Sequence, residues 1–120
     1  MSGIEIWEFR TTSGHVSGSD LVGFGVEATD GHIGRIDRHS EEVGASHLVV
    51  DTGPWIFGRQ VLLPAGTVVS VDEEERKVHV DRSKDEIKNG PEYHPDQHGG
   101  DPAYKELYGG YYGPFYGPPL

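Results

Sequence analysis

The chain contains no cysteine. That excludes a disulfide framework, a thiol nucleophile, a cysteine-ligated zinc site and an iron–sulfur cluster. No apolar run approaches the ~20 residues needed to span a bilayer. Basic residues are scarce: 10 Lys and Arg stand against 20 Asp and Glu in 120 residues, a formal net charge of -10. Affinity for DNA or RNA rests largely on neutralising phosphates, so nucleic-acid binding is not expected as the main activity. The same sign argues against an anionic membrane surface. A Gly-x-Ser-x-Gly turn, a P-loop and a dinucleotide fingerprint are all missing. Met1 to Glu5 do not form a basic segment ahead of an apolar one, so no signal peptide is read and the expected location is the cytoplasm.

What is abundant is turn chemistry. There are 18 glycines and 8 prolines, and half of the aromatic residues fall after residue 103. Three zones follow: an N-terminal apolar strand and linker (1–19), a zone holding nearly all the branched aliphatics (20–91), and a linker, short helix and aromatic tail (92–120). The middle zone reads as six short strands: Leu21–Ala28, His32–His39, His47–Thr52, Arg59–Leu63, Thr67–Val71 and Arg76–Asp81. Asp30-Gly31 marks a tight turn between the first two. Even turn spacing predicts a mainly all-β fold, a small closed or nearly closed barrel. Ile33 and Ile36 are three apart, which regular alternation would send to opposite faces. A bulge near Gly34 would turn both inward.

Two short helices are expected. Ser83 and Glu86 have capping-box spacing, and Asn89-Gly90-Pro91 stops the helix they open. The second covers Pro102 to Tyr108, capped by Asp101 and ended by Gly109-Gly110. A core of about 70 residues is small, so flanking segments or a second copy should add buried area. Ile4, Ile6, Trp7 and Phe9 are apolar enough to pair along a barrel edge.

Leu21-Val22-Gly23, Val26, Asp30-Gly31-His32-Ile33-Gly34-Arg35-Ile36 and Leu48-Val49-Val50-Asp51-Thr52-Gly53 resemble the PRC-barrel domain family. Trp55 to Val68, with Leu62-Leu63-Pro64-Ala65, and Val78 to Lys84 continue the resemblance. It covers residues 20–91 and extends more loosely to 112. The family includes the cytoplasmic domain of the photosynthetic reaction-centre H subunit, the C-terminal domain of a ribosome-maturation factor, and many small free-standing bacterial and archaeal proteins. The resemblance implies a six-stranded β-barrel that binds other proteins and carries no shared catalytic motif. It implies geometric roles for Gly23, Gly31, Gly34 and Gly53, and for Ile33, Val50 and Pro64. The chain has no membrane helix like that of the first relative, and its charge weakens a ribosomal role.

No catalytic, cofactor-binding or metal site is expected. His94 and His98 flank Asp96, but Pro95 and Gly99-Gly100 make a linker the simpler reading. His32, His39, His47 and His79 read as surface histidines. Asp51 is expected to accept hydrogen bonds from the turn that follows it. Function is therefore sought in exposed apolar residues. Trp55, Ile56 and Phe57 sit at a predicted hairpin tip, where they either fold back or dock a partner. Trp7 and the tail residues Tyr104, Tyr108, Tyr111, Tyr112, Phe115 and Tyr116 are further contact candidates. Tyr104, Leu107 and Tyr108 are expected to rest on the barrel, with residues from Tyr111 onward freer. The tail could bind another protein, its own barrel or that of a neighbouring copy. The expectation is a non-catalytic adaptor or assembly module with an unidentified protein partner and a homodimer as one arrangement. The alternative is an accessory factor in RNA processing or ribosome assembly, acting through a ribosomal-protein contact.

Overall fold

A computed structural model describes residues 6–10, 13–14, 20–40, 46–53, 60–91, 93 and 103–116, without the side chains of Ser40, Ala103 and Tyr104. Six strands form one sheet: β1 (Gly25–Ala28), β2 (Gly31–Ser40), β3 (His47–Asp51), β4 (Gln60–Pro64), β5 (Val68–Asp72) and β6 (Lys77–Val80). Their order is β4-β3-β2-β1-β6-β5. All neighbours are antiparallel except β1 and β6, which run parallel. A 3-10 turn, Ala65–Thr67, carries the chain from β4 to β5. Among the described residues no ladder joins those two strands, so the sheet is barrel-like but not closed by hydrogen bonds. The six-stranded architecture read from the sequence is present.

The first strand is shorter than expected. Leu21–Phe24 is a turn, with the Phe24 N–H donating to the Leu21 carbonyl and Gly23 at φ +91. Leu21 still reaches the core, while Val22 faces solvent.

The bulge lies where Ile33 and Ile36 require it. Val26 pairs with Gly34, but Glu27 pairs with His32, so Ile33 is the extra residue in β2. One added residue resets the alternation. Ile33 and Ile36 are then both buried, at 1% and 2% exposure.

In β3 and β4, Leu48, Val49, Val50, Val61, Leu62 and Leu63 are all buried. Alternation is absent because both faces of this pair are covered. Helix α2 (Ala103–Tyr112) packs on β4 and adds Tyr108 and Tyr112 to the core. Ile6 and Trp7 join the same cluster.

The described N-terminal residues, 6–10 and 13–14, form no edge strand, and Ile4 lies outside the described residues. The segment docks by isolated backbone bonds: Gly66 N–H to the Ile6 carbonyl, Ser46 N–H to that of Trp7, and Val71 N–H to that of Ser13. On the opposite edge, the Tyr93 N–H donates to the Gln60 carbonyl. Both outer strands thus carry backbone partners, which blunts edge-to-edge pairing.

Helix α1 (Lys84–Lys88) carries the full capping box. The Glu86 N–H donates to Ser83 Oγ at 3.2 Å, and the Ser83 N–H donates to Glu86 Oε1 at 2.8 Å. Asp30, at the β1–β2 turn, adds a third acceptor: the Lys84 N–H donates to its Oδ1 at 2.9 Å.

Helix α2 overturns two expectations. It runs through Gly109 and Gly110 to Tyr112, and a 3-10 turn (Gly113–Tyr116) follows. Glycine is a poor helix former, but tertiary burial outweighs a propensity cost of about 1 kcal/mol each. A Cβ at Gly109 would stand 3.4 Å from Trp7 Nε1, so the missing side chain lets the indole approach. Leu107 does not join Tyr108 on the barrel. It is 48% exposed, because the inward face is set by Tyr108 and Tyr112, four apart.

Candidate functional site

Two places concentrate polar groups. The first is an open cleft of about 570 Å³ between the β2 bulge, the turn after β3 and the start of α1. Its shape begins with Gly34, at φ +155. A Cβ there would lie 2.1 Å from the Asp51 carbonyl oxygen, so β2 can press against the end of β3 only with glycine. Asp51 then closes the turn: the Gly53 N–H donates to its Oδ1 at 2.9 Å, with Gly53 at φ +55. Thr52, between them, is buried.

Around this floor stand His32, Arg35 and Lys84. Lys84 crosses Gly31, its Cδ 3.6 Å from where a Cβ would be. His32 contacts the Glu27 carboxylate. The Arg35 side chain is exposed and, like that of Arg38, has no hydrogen bond, ion pair or ring contact among the described residues. The cleft lining thus holds Arg35, Lys84 and His32 with Asp51, and the Glu27 and Asp30 carboxylates stand beside His32 and the start of α1.

The second place is a clamp on the C-terminal turn. Asp81, just after β6, accepts from Arg10 Nη2 through Oδ2 and from the Tyr116 hydroxyl through Oδ1, both at 2.6 Å. Arg10 also donates from Nε to the Gly66 carbonyl at 2.8 Å. Arg82 lies 4.6 Å from the Phe115 ring centre and 5.1 Å from that of Tyr116, in cation–π range. The Tyr111 hydroxyl donates to the Glu86 carbonyl. Burial, then the hydrogen bond to Asp81, pushes the Tyr116 phenol far above its ordinary value of 10.0. Burial, then the nearby Glu86 charge, raises that of Tyr111. These groups fasten the N-terminal segment, β6, α1 and the C-terminal turn to one another.

The contact candidates therefore divide. Trp55, Ile56 and Phe57 lie outside the described residues, as does the Tyr104 side chain. Trp7, Tyr108 and Tyr112 are buried and so cannot present a contact surface. Tyr111 and Tyr116 are half-buried with their hydroxyls engaged, so the segment from Tyr111 to Tyr116 is docked rather than free. Phe115 keeps 38% exposure. Of the residues given geometric roles, Ile33, Val50 and Pro64 are buried, and Gly23, Gly31, Gly34 and Gly53 all have positive φ.

His39 is not a surface residue. Its Nε2 accepts from the Leu21 N–H at 3.3 Å, under the turn before β1. The span from His94 to His98 lies outside the described residues. Among those described, no three His, Asp or Glu side chains gather as a metal set would. No helix among them is long and apolar enough to cross a membrane. Sequence reading missed Arg10, Asp81 and Arg82, because Arg10 and Asp81 are 71 residues apart and no local pattern joins them. It also missed Arg35 and Lys84, although both fall within motifs it had singled out.

Compared by sequence, the chain matches no protein-family model and no curated protein. Among solved structures it is similar to a crystal structure from Pseudomonas aeruginosa, named as a 16S ribosomal RNA processing protein, RimM. Identity is 29% and the TM-score is 0.47. The match covers 54% of this chain and 42% of that one.

Proposed function

We propose that this chain is a non-catalytic protein-binding module that receives a partner in the cleft between the β2 bulge and the turn after β3. The observation that carries this reading is the cleft itself: concave, mainly apolar in surface, with His32, Arg35, Asp51 and Lys84 among its lining residues. The aromatic tail supports it indirectly. Its tyrosines brace the fold, so among the described residues the cleft is a better candidate surface than the tail. Trp55, Ile56 and Phe57 follow Gly53, a cleft residue, within four positions in the chain. They keep their docking role as part of this proposal.

The test is site-specific photocrosslinking. A photoreactive residue replaces His32, at the cleft, or Glu74, in the turn between β5 and β6. The His32 position is expected to give a discrete protein adduct that survives ribonuclease and is absent from the Glu74 position. An adduct with a ribosomal protein would favour the accessory role in ribosome assembly. Equal, diffuse labelling at both positions would contradict the reading.

A further inference from the structure

The cleft and the C-terminal segment share one short stretch of chain, residues 81–90. We infer that the C-terminal segment, α2 with the 3-10 turn after it, regulates the cleft through that stretch. Docked, it steadies the wall that carries Lys84 and the turn that leads into His32. This rests on the cleft being the docking face.

The β1–β2 turn holds the stretch to the cleft. The Thr29 N–H donates to the Arg82 carbonyl at 3.1 Å, and the Lys84 N–H donates to Asp30 Oδ1 at 2.9 Å. The Lys84 side chain crosses Gly31, and His32, the next residue, lines the cleft together with Lys84. The C-terminal segment holds the same stretch elsewhere. The Tyr116 hydroxyl donates to Asp81 Oδ1, and the Phe115 and Tyr116 rings lie beside the Arg82 guanidinium. The Tyr111 hydroxyl donates to the Glu86 carbonyl, and Gly90 seats the Tyr111 and Tyr112 rings.

Neither helix holds itself. With 5 residues, α1 is well short of the ~12 at which an isolated helix becomes marginal. Helix α2 has 10 residues and carries Gly109 and Gly110 inside it. Its helix depends on docking, so undocking and local unfolding are one event. Ile87 fixes the middle of α1 in the core. The two ends of α1 depend on Asp30 at Lys84 and on Tyr111 at Glu86. One short element is thus biased from both places, which is what coupling between them requires. Undocking α2 loosens Lys84 and its bond to the β1–β2 turn. The coupling is reciprocal: a partner seated against Lys84 favours the docked segment.

The experiment is amide hydrogen exchange on the full chain, read residue by residue by NMR. Tyr111→Phe removes the bond to the Glu86 carbonyl and keeps the ring. Exchange at Lys84 should rise about fivefold, the equivalent of one lost hydrogen bond. Exchange at Val50, inside the β2–β3–β4 ladders, should not change. Asp30→Ala removes the acceptor of the Lys84 N–H and should in turn speed exchange at Tyr112, in α2. With a photoreactive residue at His32, adding Tyr111→Phe should lower the yield of the protein adduct.

Exchange at Lys84 that ignores Tyr111→Phe overturns the inference, and the docking face stands if His32 still captures a protein. Equal acceleration at Lys84 and Val50 also overturns it, because the variant then only weakens the whole fold. So does an adduct yield that ignores the variant. If exchange responds in both directions while His32 captures nothing, the docking face falls and the regulatory role falls with it.

Discussion

Gly34 and Gly53 show two different reasons for a glycine, and they predict different costs. At Gly34 an added methyl would meet the Asp51 carbonyl at 2.1 Å, backbone against backbone. Neither strand can yield without breaking the β2–β3 ladder. Gly34→Ala should therefore cost more than about 3 kcal/mol, or prevent folding. At Gly53 no atom of the described residues lies within 4 Å of the added carbon, and among them only the φ of +55 resists it. Gly53→Ala should cost about 1–2 kcal/mol. Denaturant midpoints of the two variants check the ranking.

Tyr116 gives a pH prediction. Its pKa is raised in the folded chain, so folding favours the protonated phenol. The sign follows by linkage. Stability from this group is complete below pH 10, the ordinary tyrosine value, and is lost as pH rises above it. Tyr116→Phe removes both the hydrogen bond to Asp81 and the titration. At pH 8 the variant should be less stable by about 1 kcal/mol. Between pH 10 and 12 its melting temperature should fall less steeply than the parent's. A parallel fall in both proteins would contradict the geometry.

Among the elements, α1 is the clearest case of structure written in a few adjacent residues. Ser83, Glu86 and Asn89-Gly90-Pro91 were readable because capping acts between neighbours three residues apart. Ser83→Ala should cost about 1 kcal/mol, read from chemical denaturation. The β2 bulge was readable for a similar reason, since two isoleucines three apart conflict with a period of two. Helix α2 was not readable in full. Gly109 and Gly110 look like a stop, and only the burial of Tyr108 and Tyr112 carries the helix past them. Gly90 adds a role that no local signal carries: its bare backbone seats Tyr111 and Tyr112, 3.1 and 3.2 Å from where a Cβ would lie. Tyr112→Ala should cost about 3–5 kcal/mol, the scale of emptying a buried aromatic site, and thermal unfolding measures it.

At the scale of the molecule, the flanking segments complete the barrel. Ile6 and Trp7 cover the corner between Ser46 and Gly66, and Tyr108 to Tyr116 cover β4, α1 and the end of β6. The need for added burial followed from the small size of the core. Where that burial comes from did not, because Arg10, Asp81 and Tyr116 meet only after folding. The cleft was likewise hidden. Its residues come from three stretches, 32–35, 51–53 and 84, which meet only after folding.

In the proposed function the tail holds the fold together and the cleft receives the partner. Photocrosslinking from two positions tests that separation most directly: His32 in the cleft and Leu107 on the outer face of α2. The account predicts one discrete protein adduct from His32 and none of comparable yield from Leu107. A strong adduct from Leu107 with none from His32 would move the binding face to the C-terminal helix and contradict it.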